Sequence, residues 1–220
     1  GLSFVANKAF IESRTMTYID FSYKLQISSE TNLFLGLKPG ATFFDINFNN
    51  LSFNSDPALV NYSRFSPDLG IGVLLQSNKF WLSLSTPRIF NSKGDGIINS
   101  YATNSNIYSA IGANFNLMDN IVFKPSLLAR FTEGYESVLD LSTFISVNNR
   151  FEFGVNYRTN NSLSGLFLVN IKNFRVGYAY ETTSNKSGYT MNLNTHEILF
   201  TINIDRGGGE STKVGPEPPE

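Results

Sequence analysis

The 220-residue chain contains no cysteine and only one histidine, His196. The first absence excludes disulfides, thiolate metal sites and cysteine nucleophiles. The second leaves a single imidazole on which a Ser-His-acid grouping or a zinc-binding helix would have to be built. Glu197 follows His196, but the second histidine four residues on that a zinc-protease helix requires is missing, and the segment alternates like a strand. His196 therefore reads as a structural or interfacial residue. Charge is scarce as well: Asp, Glu, Lys and Arg make up 16% of the chain, below the roughly 25% usual for soluble domains. The formal net charge is -1, which removes any electrostatic case for nucleic acid. Long apolar runs are lacking too, since polar residues interrupt every run well short of the ~18 positions a spanning helix needs. The start of the chain has neither the charged nor the apolar region of a signal peptide, which implies a mature or truncated polypeptide.

What is abundant is aromatic surface, with 20 Phe and 10 Tyr, arranged with a period of two. Such alternation places successive side chains on opposite faces of a strand. Thr17, Ile19, Phe21, Tyr23, Leu25 and Ile27 oppose Tyr18, Asp20, Ser22, Lys24 and Gln26. Phe151, Phe153, Val155 and Tyr157 oppose Arg150, Glu152, Gly154, Asn156 and Arg158; Phe174, Val176, Tyr178 and Tyr180 oppose Arg175, Gly177, Ala179 and Glu181. Ile198, Phe200, Ile202 and Ile204 do the same against Leu199, Thr201, Asn203 and Asp205. Such runs predict about twelve strands, near 2–9, 16–28, 32–48, 66–76, 79–87, 106–117, 121–132, 137–147, 150–158, 162–171, 174–182 and 195–205.

The connections alternate in length. Tight polar turns fall at 28–31, 76–78, 118–120, 147–149 and 172–173, while 49–65, 88–105, 159–161 and 183–194 are the longer links and 10–15 and 133–136 are intermediate. A meander in which every second link is short is the plan of an outer-membrane barrel, with short periplasmic turns and long surface loops. The predicted fold class is therefore all-β, a transmembrane antiparallel up-and-down β-barrel over 1–205 whose C-terminus is periplasmic. Residues 206–220, rich in Gly, Pro and Glu, have too little apolar surface to offset the entropy of ordering and are expected to form a flexible tail.

A soluble β-sandwich also has alternating strands, but its polar side faces water. Here the charges Asp20, Lys24, Lys38, Lys124, Arg130, Asp140, Arg150, Glu152, Arg158, Lys172, Arg175 and Glu181 collect opposite the Phe, Tyr, Ile and Leu side. The set mixes both signs, as the wall of a water-filled lumen would. An Arg or Lys moved to the lipid side near the midplane costs ~2–4 kcal/mol, so a bilayer enforces this parity. Unpaired amides in lipid cost several kcal/mol each, so the sheet is expected to close.

Gly36 and Gly40, or Gly70 and Gly72, lie within strands with no helix following and do not make a phosphate loop. Asn61-Tyr62-Ser63 matches a glycosylation acceptor, a pattern common by chance. Trp81, Tyr157, Tyr178 and Tyr180 are candidates for interfacial aromatic girdles, with Trp81 the exception in parity because it opposes Phe80 and Leu82. Pairs such as Arg150 with Glu152 or Arg175 with Glu181 read as lumen ion pairs rather than as catalytic groups. No catalytic residue, metal site or cofactor is expected. For partner binding the candidates are the surface-loop residues Phe53, Asp56, Pro57, Tyr62, Phe65, Arg88, Phe90, Ile97, Ile98 and Tyr101. The alternative is that these loops fold over and plug the lumen.

Several local runs, in order, resemble the PorP/SprF family of the type IX secretion system. They are Leu35-Gly-Leu-Lys-Pro-Gly-Ala-Thr-Phe-Phe44, Asp56-Pro57-Ala58, Phe65-Ser-Pro-Asp-Leu-Gly-Ile-Gly72 and Ser77-Asn-Lys-Phe-Trp-Leu-Ser-Leu-Ser-Thr-Pro87. Phe123-Lys-Pro-Ser-Leu-Leu-Ala-Arg130, Leu139-Asp-Leu-Ser142, Arg175-Val-Gly-Tyr-Ala-Tyr180 and Thr195-His-Glu-Ile-Leu199 continue the series. The resemblance implies an outer-membrane protein of Bacteroidota, acting in type IX secretion and gliding motility, whose complete barrel has about fourteen strands. It implies a non-enzymatic receptor that anchors the C-terminal domain of a secreted surface protein such as an adhesin. Contacts with periplasmic ring or peptidoglycan-binding components are implied as well. The competing function is a passive or substrate-selective outer-membrane pore, which the charged wall alone would also suit.

Overall fold

The computed structural model describes residues 1–48, 60–90, 105–183 and 193–203. They form fourteen strands: β1 Leu2–Ala9, β2 Glu12–Ile19, β3 Phe21–Gln26, β4 Thr31–Ile46, β5 Tyr62–Ser77, β6 Phe80–Thr86 and β7 Asn106–Ala113, followed by β8 Phe115–Met118, β9 Ile121–Thr132, β10 Val138–Val147, β11 Phe151–Arg158, β12 Ser162–Ile171, β13 Phe174–Thr183 and β14 Leu193–Ile202. All belong to one sheet in the order β1-β2-β4-β5-β6-β7-β9-β10-β11-β12-β13-β14, with β3 beside β4 and β8 beside β9. Every pairing is antiparallel, and apart from β2–β4 and β7–β9, which skip the short β3 and β8, every pair is of neighbours in sequence, the up-and-down order that the alternating turns predict.

The order has twelve positions because two of the expected strands are each broken in two. β2 pairs with β4 as far as Tyr18 opposite Gly40, and β3 resumes with Phe21 opposite Leu37. β7 pairs with β9 as far as Gly112 opposite Ser126, and β8 resumes with Phe115 opposite Phe123. Both gaps face a Lys-Pro dipeptide, Lys38-Pro39 in β4 and Lys124-Pro125 in β9. The phase of each ladder explains why. The amide of Asn47 donates to the Ile11 carbonyl, so the odd-numbered amides of β4 point toward β2, and the missing N–H of Pro39 falls on that side. The amide of Asn148 donates to the Asn120 carbonyl, so even-numbered residues of β9 bond with β10. Odd-numbered amides then point toward β7 and β8, where Pro125 has none to give.

Burial is inverted relative to a water-soluble domain. The buried polar residues are Thr42, Asp68, Asp140, Ser146, Glu152, Ser162 and Ser164, all on one face of the sheet, and among the described residues only Tyr18, Ile46 and Ala110 form buried apolar positions. Adjacent residues make the contrast: Glu152 is 8% exposed and Phe153 is 53% exposed. The polar face is thus the enclosed one, and Phe4, Phe65, Leu84, Leu141, Val155, Leu163 and Phe200 stand outward. A soluble sandwich would bury the second set and wet the first. On β4 the outward residues are apolar from Leu33 to Phe43, and Asp45 follows, where it accepts a hydrogen bond from Ser63. β4 and β5 are 16 residues each, about 50 Å at ~3.3 Å per residue, longer than an apolar band of ~25 Å requires even when tilted. Their paired ends therefore continue past that band.

Several boundaries shift from those the sequence predicts. The links 10–15 and 49–65 contract, because β2 starts at Glu12 and β5 at Tyr62. The tail 206–220 lies outside the described residues.

Candidate functional site

The polar face carries its charges in cross-strand groups set by register. On β9 to β13, Glu152 Oε1 accepts from Lys124 Nζ at 3.3 Å and from Arg175 Nη2 at 3.2 Å, and Arg175 Nε donates to Asn170 Oδ1 at 2.8 Å. Asp140 faces Arg158 across the ladder and accepts from its Nε at 2.7 Å and from Asn156 Nδ2 at 3.2 Å. Arg158 Nη1 also reaches Glu181 Oε1 at 3.5 Å, and Ser164 Oγ donates to Glu181 Oε2 at 3.2 Å. Alternating signs at this spacing give each of these carboxylates a cationic partner, whereas a buried unpaired charge would cost several kcal/mol.

A second group lies on β2, β4 and β5. The carboxylate of Asp68, whose side chain is wholly buried, accepts from Thr42 Oγ1 at 2.6 Å, from Tyr18 Oη at 3.1 Å and from Arg88 Nη2 at 3.1 Å. Arg88 Nε stands 2.8 Å from Asp68 Oδ1 as an ion-pair contact off the hydrogen-bond line, and Nη2 also donates to Thr42 at 3.1 Å. Beside it Lys38 Nζ pairs with Asp20 at 3.1 Å and lies 4.7 Å from the centre of the Tyr18 ring, while Ser3 Oγ donates to Asp20. Between these residues and β7 is a cavity of about 460 Å³ bordered by Asp20, Lys38, Gly70, Gly72, Ser85 and Tyr108.

Ten of the twelve predicted wall charges are on this face. Lys24 is exposed there, on β3, and Arg130 is half-buried opposite Tyr108 and Val138. Arg150 and Lys172 are corrections: both sit in exposed turns, Arg150 with its guanidinium 5.5 Å from the Phe151 ring centre and Lys172 at φ 51°. Trp81 is not a girdle residue, because it lies on the polar face against Gly112, whereas Tyr157, Tyr178 and Tyr180 face outward. His196 is outward too, its Nδ1 2.7 Å from Tyr178 Oη. Of the loop candidates, Tyr62 and Phe65 belong to β5 rather than to a loop; Tyr62 meets Phe44 edge-on and Phe65 packs outward against Phe43 at a 55° tilt, ring centres 5.0 Å apart. Arg88 is tied to Asp68, and Phe90 is exposed. Phe53, Asp56, Pro57, Ile97, Ile98 and Tyr101 lie outside the described residues. Sequence reasoning missed Asp68 and Thr42, although both have the parity of the other wall charges.

In a comparison with protein families, the model for "Type IX secretion system membrane protein PorP/SprF" matches residues 1–202. No curated protein and no solved structure matches the chain.

Proposed function

Because the chain belongs to the PorP/SprF family of type IX secretion system membrane proteins, we propose that it closes into an outer-membrane barrel that binds and anchors a secreted surface protein. The element it holds is the C-terminal domain of its cargo, an adhesin or similar protein. The short turns and the C-terminus face the periplasm, and the long links face outward. Partners in the periplasm would be ring or peptidoglycan-binding components of the same machinery.

The observation that carries this reading is the inverted burial: the buried positions of the sheet are mostly polar or charged and its large apolar side chains are exposed. Only hydrocarbon is a good solvent for that outer surface, and in hydrocarbon the two terminal strands cannot leave their amides unpaired. The role in secretion comes from family membership.

A passive pore is the second reading, favoured by the charged wall and its cavity. Affinity purification of the full protein from its own membranes, followed by planar-bilayer recording, separates the two. A large secreted protein retained through its C-terminal domain, on a barrel silent in KCl, supports the anchor. Steady conductance with no retained cargo overturns it.

A further inference from the structure

After β6 the chain does not continue along the plane of the sheet. β5 and β6 pair up to Ile71 opposite Thr86, and the regular ladder stops before Pro87. Its backbone instead lies over the polar side of Gly70, so close that a Cβ there would stand 2.7 Å from the Pro87 carbonyl oxygen. The Ile89 amide then returns to the Leu69 carbonyl at 2.8 Å, and Thr86 Oγ1 ties back to the Arg88 carbonyl at 2.8 Å. Residues 87–89 are therefore an inward bulge of the β6 edge. The Arg88 side chain, only 13% exposed, continues inward to Asp68. Asp68 is one step beyond Gly70 toward the long-link end of β5, and Pro87 and Gly70 both border the 460 Å³ cavity.

We infer that residues 87–89 form a strap across the long-link side of this cavity, latched shut by the Arg88–Asp68 ion pair. Among the described residues Asp68 pairs with no other cation, and Thr42 and Tyr18 orient its carboxylate, so the latch depends on Arg88. Strain in the sheet does not hold the strap in place; beyond the Pro87 contact, the ion pair and two backbone carbonyls do. The strap rests on the reading that the polar face lines a lumen reached from outside the cell.

The chain has no cysteine, so one introduced thiol reports on the cavity. Ser85→Cys places it inside, and Leu84→Cys places it on the outward face. Intact cells making the full protein are treated with a maleimide too large to cross the outer membrane. Ser85→Cys should react slowly alone, and about 10- to 100-fold faster when Asp68→Asn or Arg88→Gln is added, the range expected for losing a charge-assisted hydrogen bond. Thr42→Val, which keeps the fold and removes one donor to Asp68, should give a smaller rise and serves if either charge variant fails to assemble. Equal Ser85→Cys rates in all folded backgrounds overturn the strap. Labelling of Leu84→Cys with Ser85→Cys inert in every background overturns the lumen reading itself, and the strap with it.

Discussion

Tyr18 and Gly40 are direct cross-strand partners, and the phenol ring of Tyr18 occupies the space a Cβ at position 40 would fill. The same relationship recurs twice. Trp81 lies on its partner Gly112, and Phe144 lies on its partner Gly154. Each large ring is on the polar face, where it would otherwise stand up among the charged groups. A glycine opposite lets it lie flat against the sheet, which covers the exposed backbone and leaves room for those groups.

The pairing predicts that Gly154→Val is costly. The added branch overlaps the Phe144 ring and must push it off the wall, an overpacking cost of ~1–3 kcal/mol. Gly165 is the control, because nothing lies within 4 Å of a Cβ built there, so Gly165→Ala should be neutral or slightly stabilising. Urea midpoints followed by heat-modifiable migration on gels distinguish them. Equal midpoints for the two variants would refute the flat-ring account.

Parity predicts the response to charge. Val155 is outward and 55% exposed on β11, so Val155→Arg puts a guanidinium in hydrocarbon and should lower stability in lipid by ~2–4 kcal/mol. Lys24→Gln, at an exposed polar-face position, should stay within about 0.5 kcal/mol. Refolding into liposomes from urea measures both. A tolerated arginine at 155 would show that this face does not meet lipid.

The Glu152 group predicts an asymmetric mutational pattern. Lys124 and Arg175 share one carboxylate oxygen, so Glu152→Gln leaves two partly exposed cations without their anion and should cost on the order of 1–3 kcal/mol. Lys124→Gln leaves Glu152 still paired with Arg175 and should cost less than about 1 kcal/mol. The double variant should recover part of the Glu152→Gln loss, a coupling readable by a double-mutant cycle. Additive losses would mean that the three groups act independently.

Much of this was legible in the sequence because a period-two pattern admits no ambiguity about face once the strand is found. Strands such as 121–132 and 162–171 coincide with β9 and β12. Phe153 and Glu152 fall on the faces that alternation predicts. What alternation cannot see is where a strand ends. Arg150 and Lys172 have the right parity but sit just outside β11 and β13, where a turn frees the side chain from either face. Tyr62 and Phe65 fail the other way: the expected strand begins at 66, yet β5 starts at Tyr62. Arg88 was legible as a residue beside a long link but not as an inward one, because its direction depends on the bulge at Pro87 and on a glycine 17 positions earlier.

The two Lys-Pro dipeptides give a final prediction, because they face equivalent breaks. At the β7–β8 gap the Asn114 amide donates to the Lys79 carbonyl, on the side away from β9. Pro125→Val restores an N–H pointing at the gap, so β7 and β8 should fuse into one strand. At the β2–β3 gap the Asp20 amide likewise donates to the Gly1 carbonyl, on the side away from β4, and does not compete for a new donor there. Pro39→Val should therefore fuse β2 and β3 as well. The energetic effect of each change is small, since a new hydrogen bond of about 1 kcal/mol is offset by the greater freedom of the unfolded chain without proline. Hydrogen exchange is the more sensitive readout: amides of 113–116 should become more protected in Pro125→Val, and those of 19–21 in Pro39→Val. Protection at neither site would mean that proline does not set the breaks.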